Sequence, residues 1–235
     1  MRLIAIGDIH GHRKKLDDLL EQIQPCEEDQ FVFLGDYIDR GPDSKGVIED
    51  LIDFQLFYPK TVFLRGNHEQ LMIDTLIDCG VIEGTPLYSM SPEWARETRY
   101  SSDAMLFLLN GGDKTMKGYN AEIARDGTKF TLLGSLPENH IEFLTSTKLY
   151  HHQDGFLFVH AGADEQLSLD EQVYTLLWDR HAPPGVNEIH VVGHVPCPGA
   201  EPYFEQTRYS LDTGSGHGRL LTACDVLTRN YWQAG

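Results

Sequence analysis

The sequence predicts an α/β fold in which two sheets pack together with helices outside. Three observations carry that expectation. Short apolar runs alternate with helical patterns through the first third of the chain, the second half is strand-rich, and each of the first three strands ends in glycine followed by polar residues.

Taken in order, "RLIAI" (2–6) reads as a buried strand, and "HRKKLDDLLEQIQ" (12–24) as an amphipathic helix with Leu16, Leu19, Leu20 and Ile23 at helical spacing. "QFVFL" (30–34) is the second strand. "DSKGVIEDLIDFQLF" (43–57) is the second helix, with Asp43 or Ser44 as its N-cap. "TVFLRG" (61–66) is the third strand and leads into a helix at "NHEQLMIDTLIDC" (67–79). Strand and helix alternating in this way predict a mostly parallel sheet, whose ligands gather at the carboxyl ends of the strands.

From 83 to 128 the pattern loses that regularity. Pro86, Pro92, a turn at "NGGDKT" (110–115) and a helical stretch at "SSDAMLFLLN" (101–110) predict a mostly helical excursion over the sheet edge. A helix follows at "PENHIEFLTST" (137–147), then a hairpin in "KLYHHQDGFLFVHAG" (148–162) turning at Asp154 and Gly155. Further strands follow at "EIHVVGH" (188–194), "RYSLDTG" (208–214) and "RLLTACDV" (219–226), which makes the second half strand-rich. The 235 residues contain no internal repeat, and we read 1–235 as a single domain.

Composition narrows the function. With 19 Lys+Arg against 36 Asp+Glu the net charge is −17, which argues against wholesale attraction to nucleic acid or anionic membrane. A phosphate-bearing substrate then needs local positive charge. The N-terminus has five apolar residues before a Gly-Asp break, too few for a signal peptide, and no run reaches membrane-spanning length, so a cytoplasmic protein is expected. Cys26, Cys79, Cys197 and Cys224 show no Cys-x-x-Cys spacing and read as reduced structural thiols.

The polar strand ends carry the chemistry. Asp8 and His10, two apart just past a strand, point the same way in extended geometry and can grip one cation. Asp36, Asn67, His160 and His194 each follow their own apolar run at a glycine-flanked exit. Carboxylate, imidazole and amide oxygen together suit Mn, Fe, Zn or Mg. One carboxylate between two cations holds them about 3.5–4 Å apart, the spacing of two-metal hydrolases, and Asp36 is the natural bridge.

In order, "GDIHG" (7–11), "GDYIDRG" (35–41), "GNHE" (66–69), "HAG" (160–162) and "GHVP" (193–196) resemble the metallophosphoesterase superfamily. The similarity is specifically to its phosphoprotein phosphatase (serine/threonine phosphatase) family and runs from about Arg2 to Asp225. It is closest to the compact bacterial and phage branch, since the chain ends soon after "LDTGSGHGRLLTACDV". The resemblance implies a four-layer α/β/β/α sandwich with a dinuclear centre of two divalent ions, Mn first, with Fe, Zn and Mg as alternatives. It implies Asp8 and His10 on the first metal, Asp36 bridging, and Asn67, His160 and His194 on the second. Asp39 resembles the acid that hydrogen-bonds the general acid His68, and Arg40 resembles a phosphate clamp, with Arg180 in "LLWDR" as a second, weaker match. The implied reaction is phosphomonoester hydrolysis by direct attack of a metal-bridging hydroxide, without a phosphoenzyme.

Two rivals remain. "GHVPCPG" lacks the second histidine of the Gly-His-x-His block of the wider superfamily's phosphodiesterases, which favours a monoesterase. Symmetrical diadenosine tetraphosphate hydrolases usually show "GNHD" and lack the acid of "DRG", whereas this chain has Glu69 and Asp39. Asymmetric dinucleoside polyphosphate hydrolysis stays the alternative, and a metal-bound scaffold that binds phosphorylated proteins is the non-enzymatic one. Partners are therefore a phosphoprotein or a small phosphate ester or nucleotide. Among the remaining histidines, His190 lies about 13 Å along a strand from His194 and reads as structural. His12 reads as a solvated face or a helix-cap contact and His140, His151 and His152 as surface groups, while His181 and His217 stay open. Cys197 reads as a small buried hydrophobe.

Overall fold

The computed structural model describes residues 1–87 and 102–235. The first sheet is ordered β12-β11-β1-β2-β3, from Asn230–Ala234 (β12), Leu221–Asp225 (β11), Leu3–Ile6 (β1), Gln30–Phe33 (β2) and Val62–Phe63 (β3). β1, β2 and β3 run parallel, joined by helices α1 (Arg13–Ile23) and α2 (Ser44–Phe57), while β11 adds antiparallel to β1 and β12 antiparallel to β11. The second sheet is ordered β6-β7-β8-β10-β9, from Tyr150–Gln153, Phe156–Val159, Ile189–Val192, Arg208–Ser210 and Tyr203–Phe204, with β7, β8 and β10 parallel.

The uninterrupted apolar runs follow from burial on both strand faces. Alternate residues of β1 divide between two layers: Leu3 and Ala5 join Val32, Phe156, Phe158 and Val191 between the sheets, whereas Ile4 and Ile6 face Leu16, Leu19, Val47 and Leu51 of the outer helices. Outside the second sheet, Val159 and Val192 pack with Leu176 of the helix at Val173–Trp178. This is the expected α/β/β/α order. Asp43 caps α2, its side chain accepting from the Gly46 N–H at 2.9 Å. The hairpin turns at Asp154 and Gly155, both with positive φ, as the Asp-Gly signal requires.

The excursion differs from expectation. Part of it, including Pro92, lies outside the described residues. The helix at Asp103–Phe107 runs through a π turn (Leu108–Gly112) into Asp113–Gly118, so "NGGDKT" is a kinked helix with Gly111 at φ 105°, not a turn. Nor does a helical region extend to 128: Glu122–Asp126 (β4) pairs antiparallel with Lys129–Leu133 (β5) across Gly127. Its short, partly exposed strands bury one side only, with Ile123 and Phe130 in the core. His140 is also not a surface group; it is buried, with Nδ1 2.8 Å from the Tyr119 hydroxyl. Among the described residues no helix is long and apolar enough to cross a membrane, and the four cysteines are free.

Candidate metal centre

The polar residues after β1, β2, β3, β7 and β8 converge at the strands' carboxyl ends. Parallel strands bring five chain exits to one edge, which is why residues distant in sequence meet here. Five of the convergent side chains sit on left-handed backbone: His10 (φ 52°), Asp36 (54°), Asp39 (72°), Arg40 (64°) and His194 (62°). Such conformations cost energy in non-glycine residues and persist where the surroundings over-determine them.

Much of that surrounding is Glu69. Its buried carboxylate accepts the backbone N–H groups of Gly66 (2.9 Å), Asp36 (2.8 Å), Tyr37 (2.8 Å) and Ile38 (3.3 Å), tying the start of α3 (Asn67–Asp78) to the "GDYIDRG" turn. Burial and the Asp36 charge push Glu69 up to about 7. Gly66 is required at its place, because a Cβ there falls 2.1 Å from Asp36 Oδ1.

Two groups of donors come within 4.8 Å of one another, His10–Asp36–His68 and Asp36–His160–His194, and Asp36 belongs to both. Its Oδ2 is 3.5 Å from Nε2 of His10 and 3.5 Å from Nε2 of His160. His10 and His160 face Nε2 inward because each Nδ1 is held by a main-chain carbonyl, Ile38 at 2.9 Å and Leu34 at 2.8 Å. Asn67 Oδ1 is 3.0 Å from His160 Nε2. Asp8 joins neither group; its carboxylate accepts the His194 N–H at 3.1 and 3.2 Å.

A divalent cation fits this donor set. Burial and neighbouring His160 push His194 down to about 3, so its ring is neutral, and its buried Nε2 has no hydrogen-bond partner among the described residues. Burial and His68 likewise hold His10 well below its usual range. Burial opposes a proton on His160, but Asp36 outweighs it and raises that ring to about 10, a proton that a cation bound there would displace; imidazole, amide oxygen and carboxylate are hard-to-borderline donors. Although burial opposes it, the field of His160 and His68 holds Asp36 well below the carboxylate range, so the shared group is an anion.

Beside this cluster His68 and Asp39 form a fully buried pair, Nδ1 to Oδ2 at 2.6 Å. Burial disfavours charge on His68, but Asp36 and Asp39 outweigh it and raise its pKa. Arg40 lies across the opening, Nη1 3.0 Å from His10 Nε2 and Nη2 2.9 Å from His68 Nε2. His217, which sequence left open, is the third ring against it, at 3.4 Å. Arg180 is exposed at the rim, near enough for its charge to disfavour protonation of His194 and His217.

Three contributors escaped the sequence reading. Thr115, from the excursion, accepts the Asp39 N–H at 3.0 Å and donates to Asp39 Oδ1 at 2.5 Å; Ser44 Oγ is 2.9 Å from both Thr115 Oγ1 and the Asp39 nitrogen. Asp212, buried after β10, accepts the Gly214 N–H at 2.8 Å, and after burial itself is the largest cause that raises Asp8. Its only sequence signal is a polar residue at another glycine-rich strand exit. Conversely, His190 is a structural group as expected, with Nε2 2.9 Å from Glu165 Oε1.

A carboxylate shared by two histidine-rich groups, an arginine across them and a carboxylate-backed histidine define the class of a metal-assisted phosphoester hydrolase. The chain belongs to the calcineurin-like phosphoesterase family, whose profile matches residues 1–215. Family membership implies a dinuclear divalent metal centre, and the two groups supply donors for it. A Schizosaccharomyces pombe protein provisionally named serine/threonine-protein phosphatase C22H10.04 is 48% identical over 71 residues, 28% of this chain and 22% of that one. Human serine/threonine-protein phosphatase with EF-hands 2 is 44% identical over 77 residues, 31% of this chain and 10% of that one. The matched stretches thus span less than a quarter of each of these relatives. A crystal structure provisionally titled a diadenosine tetraphosphatase superposes with TM-score 0.61 at 20% identity, covering 99% of this chain and 92% of that one, which shows a shared fold.

Proposed function

We propose that this chain is a metal-dependent serine/threonine protein phosphatase, with Asp8 and His10 holding one divalent ion, Asn67, His160 and His194 the other, and Asp36 both. The observation that carries the reading is the buried His68–Asp39 pair, with His68 Nε2 turned toward Arg40 and the shared carboxylate. The matched relatives named as serine/threonine-protein phosphatases support the substrate class.

Bound divalent ions supply Lewis-acid stabilisation of phosphoryl oxygens and water of lowered pKa. The rest falls to side chains. Asp39 takes the hydrogen bond from His68 Nδ1, which leaves Nε2 to carry the proton delivered to the departing serine oxygen. Arg40 offers two parallel donors, a planar fork that matches phosphoryl oxygens, and Arg180 adds charge from the rim. Manganese is the ion we expect.

The test is a side-by-side rate comparison, with Mn, on a phosphoserine peptide, a phosphotyrosine peptide and diadenosine tetraphosphate. The expected order puts phosphoserine first. A preference for the dinucleotide by orders of magnitude overturns it in favour of dinucleoside polyphosphate hydrolysis, and binding without turnover of any of them overturns it in favour of a scaffold.

Thr115 acts in this scheme as a positioning residue. Thr115→Val removes the hydroxyl that both accepts from and donates to Asp39, an interaction worth about 1–2 kcal/mol. We expect kcat on the phosphoserine peptide to fall about tenfold, with metal content and KM near wild type and recovery in Thr115→Ser. A uniform loss on p-nitrophenyl phosphate and no recovery with serine would assign Thr115 to packing alone.

A further inference from the structure

Arg40 also lines a cavity of about 580 Å³, together with His12, Pro42, Lys114 and Lys117 among others, with no acidic residue among the described residues of its wall. We propose that it receives a second anionic side chain, phosphorylated or acidic, one or two residues from the phosphoserine being hydrolysed; the inference rests on the phosphoprotein reading above.

The charge distribution is the first support. In a chain with 36 acidic and 19 basic residues, a wall that carries two lysines and an arginine and, among the described residues, no carboxylate concentrates scarce positive charge. Lys114 and Lys117 are exposed and, among the described residues, form no ion pair. Lys114 spends one of its three donors on the Arg40 carbonyl at 2.7 Å and keeps two. His12 is half-buried in the same wall.

The second support is that Arg40 is common to the cavity and the candidate centre. Its guanidinium reaches His10 and His68 while its main chain is gripped by Lys114 and abutted by Gly111, where a Cβ would fall 2.8 Å from the Arg40 nitrogen. One residue therefore borders both the cavity and the donor groups. Neighbouring Cα atoms in an extended peptide are about 3.8 Å apart, so side chains one or two positions apart suit two sites that share one residue. Paired ammonium donors bind phosphate or carboxylate through charge-assisted hydrogen bonds.

The test uses matched peptides carrying phosphoserine alone, phosphoserine next to glutamate, and two adjacent phosphoserines, each as a competitive inhibitor of p-nitrophenyl phosphate hydrolysis by the Mn-loaded protein. For wild type we expect the second anion to lower Ki about tenfold. Lys114→Gln with Lys117→Gln should erase that advantage, and Lys117→Glu, which leaves the Lys114 bond in place, should reverse it. Equal Ki values in wild type, or an advantage that survives in the variants, overturns the proposal. Turnover of the same peptides is read separately. Inhibition that shows the lysine-dependent advantage without peptide turnover would keep the cavity's role and remove the phosphoprotein reading, whereas turnover with no advantage would do the opposite.

Discussion

Asp36→Asn is expected to lose both metal ions and at least about a thousandfold in turnover, several kcal/mol of transition-state stabilisation. The carboxamide keeps the size of the side chain but replaces an anionic acceptor with a neutral group, one end of which donates. Oδ2 faces His10 and His160 at 3.5 Å each, so the substitution reaches both donor groups at once, while Oδ1 accepts the His68 N–H at 3.1 Å. Folding should survive. Among the causes that push Asp8 and Glu69 upward is the charge of Asp36 itself, so its removal relieves repulsion among buried acids. Asn67→Ala, by contrast, touches only the group containing His160 and should lower metal content toward one ion per chain. Metal analysis by mass spectrometry after dialysis, with thermal unfolding as the check on folding, separates the two. Two ions retained in Asp36→Asn with normal turnover would remove it as the shared ligand.

The parts of this centre legible in sequence are those that sit at strand exits. An apolar run buried on both faces announces a parallel strand, and the glycine and polar residues after it announce where the run leaves the core; that signal marks Asp8, His10, Asp36, Asn67, His160 and His194 as candidates. What supports them carries no such mark. Glu69 stands in "GNHE", but the four N–H groups it gathers come from backbone on two separate segments. Thr115 is an ordinary threonine in a helical pattern, 76 residues from Asp39, and only the kink at Gly111 brings its helix against the turn. The β4–β5 hairpin was lost in the excursion because its strands alternate weakly, with most residues exposed or half-exposed. His140 is polar in composition and buried in fact, since Tyr119 satisfies it.

His68→Asn should lose most of its rate on a phosphoserine peptide and far less on p-nitrophenyl phosphate. The reason is the leaving group. Serine alkoxide has a pKa far above neutrality and needs a proton as the bond breaks, whereas p-nitrophenolate, a good leaving group near pH 7, hardly does. General acid catalysis is worth about 10²–10⁴ in rate, or roughly 3–5 kcal/mol, and that is the difference expected between the two substrates. Asp39→Asn should show the same selectivity in milder form. The Asp39 carboxylate both orients His68, at 2.6 Å from Nδ1, and favours its protonated state, but its other oxygen is committed to Thr115 rather than to the donor groups around Asp36. Metal content in Asp39→Asn should therefore match wild type. Equal losses on both substrates in His68→Asn would place that histidine in metal or phosphate binding, and metal depletion in Asp39→Asn would make that acid a ligand.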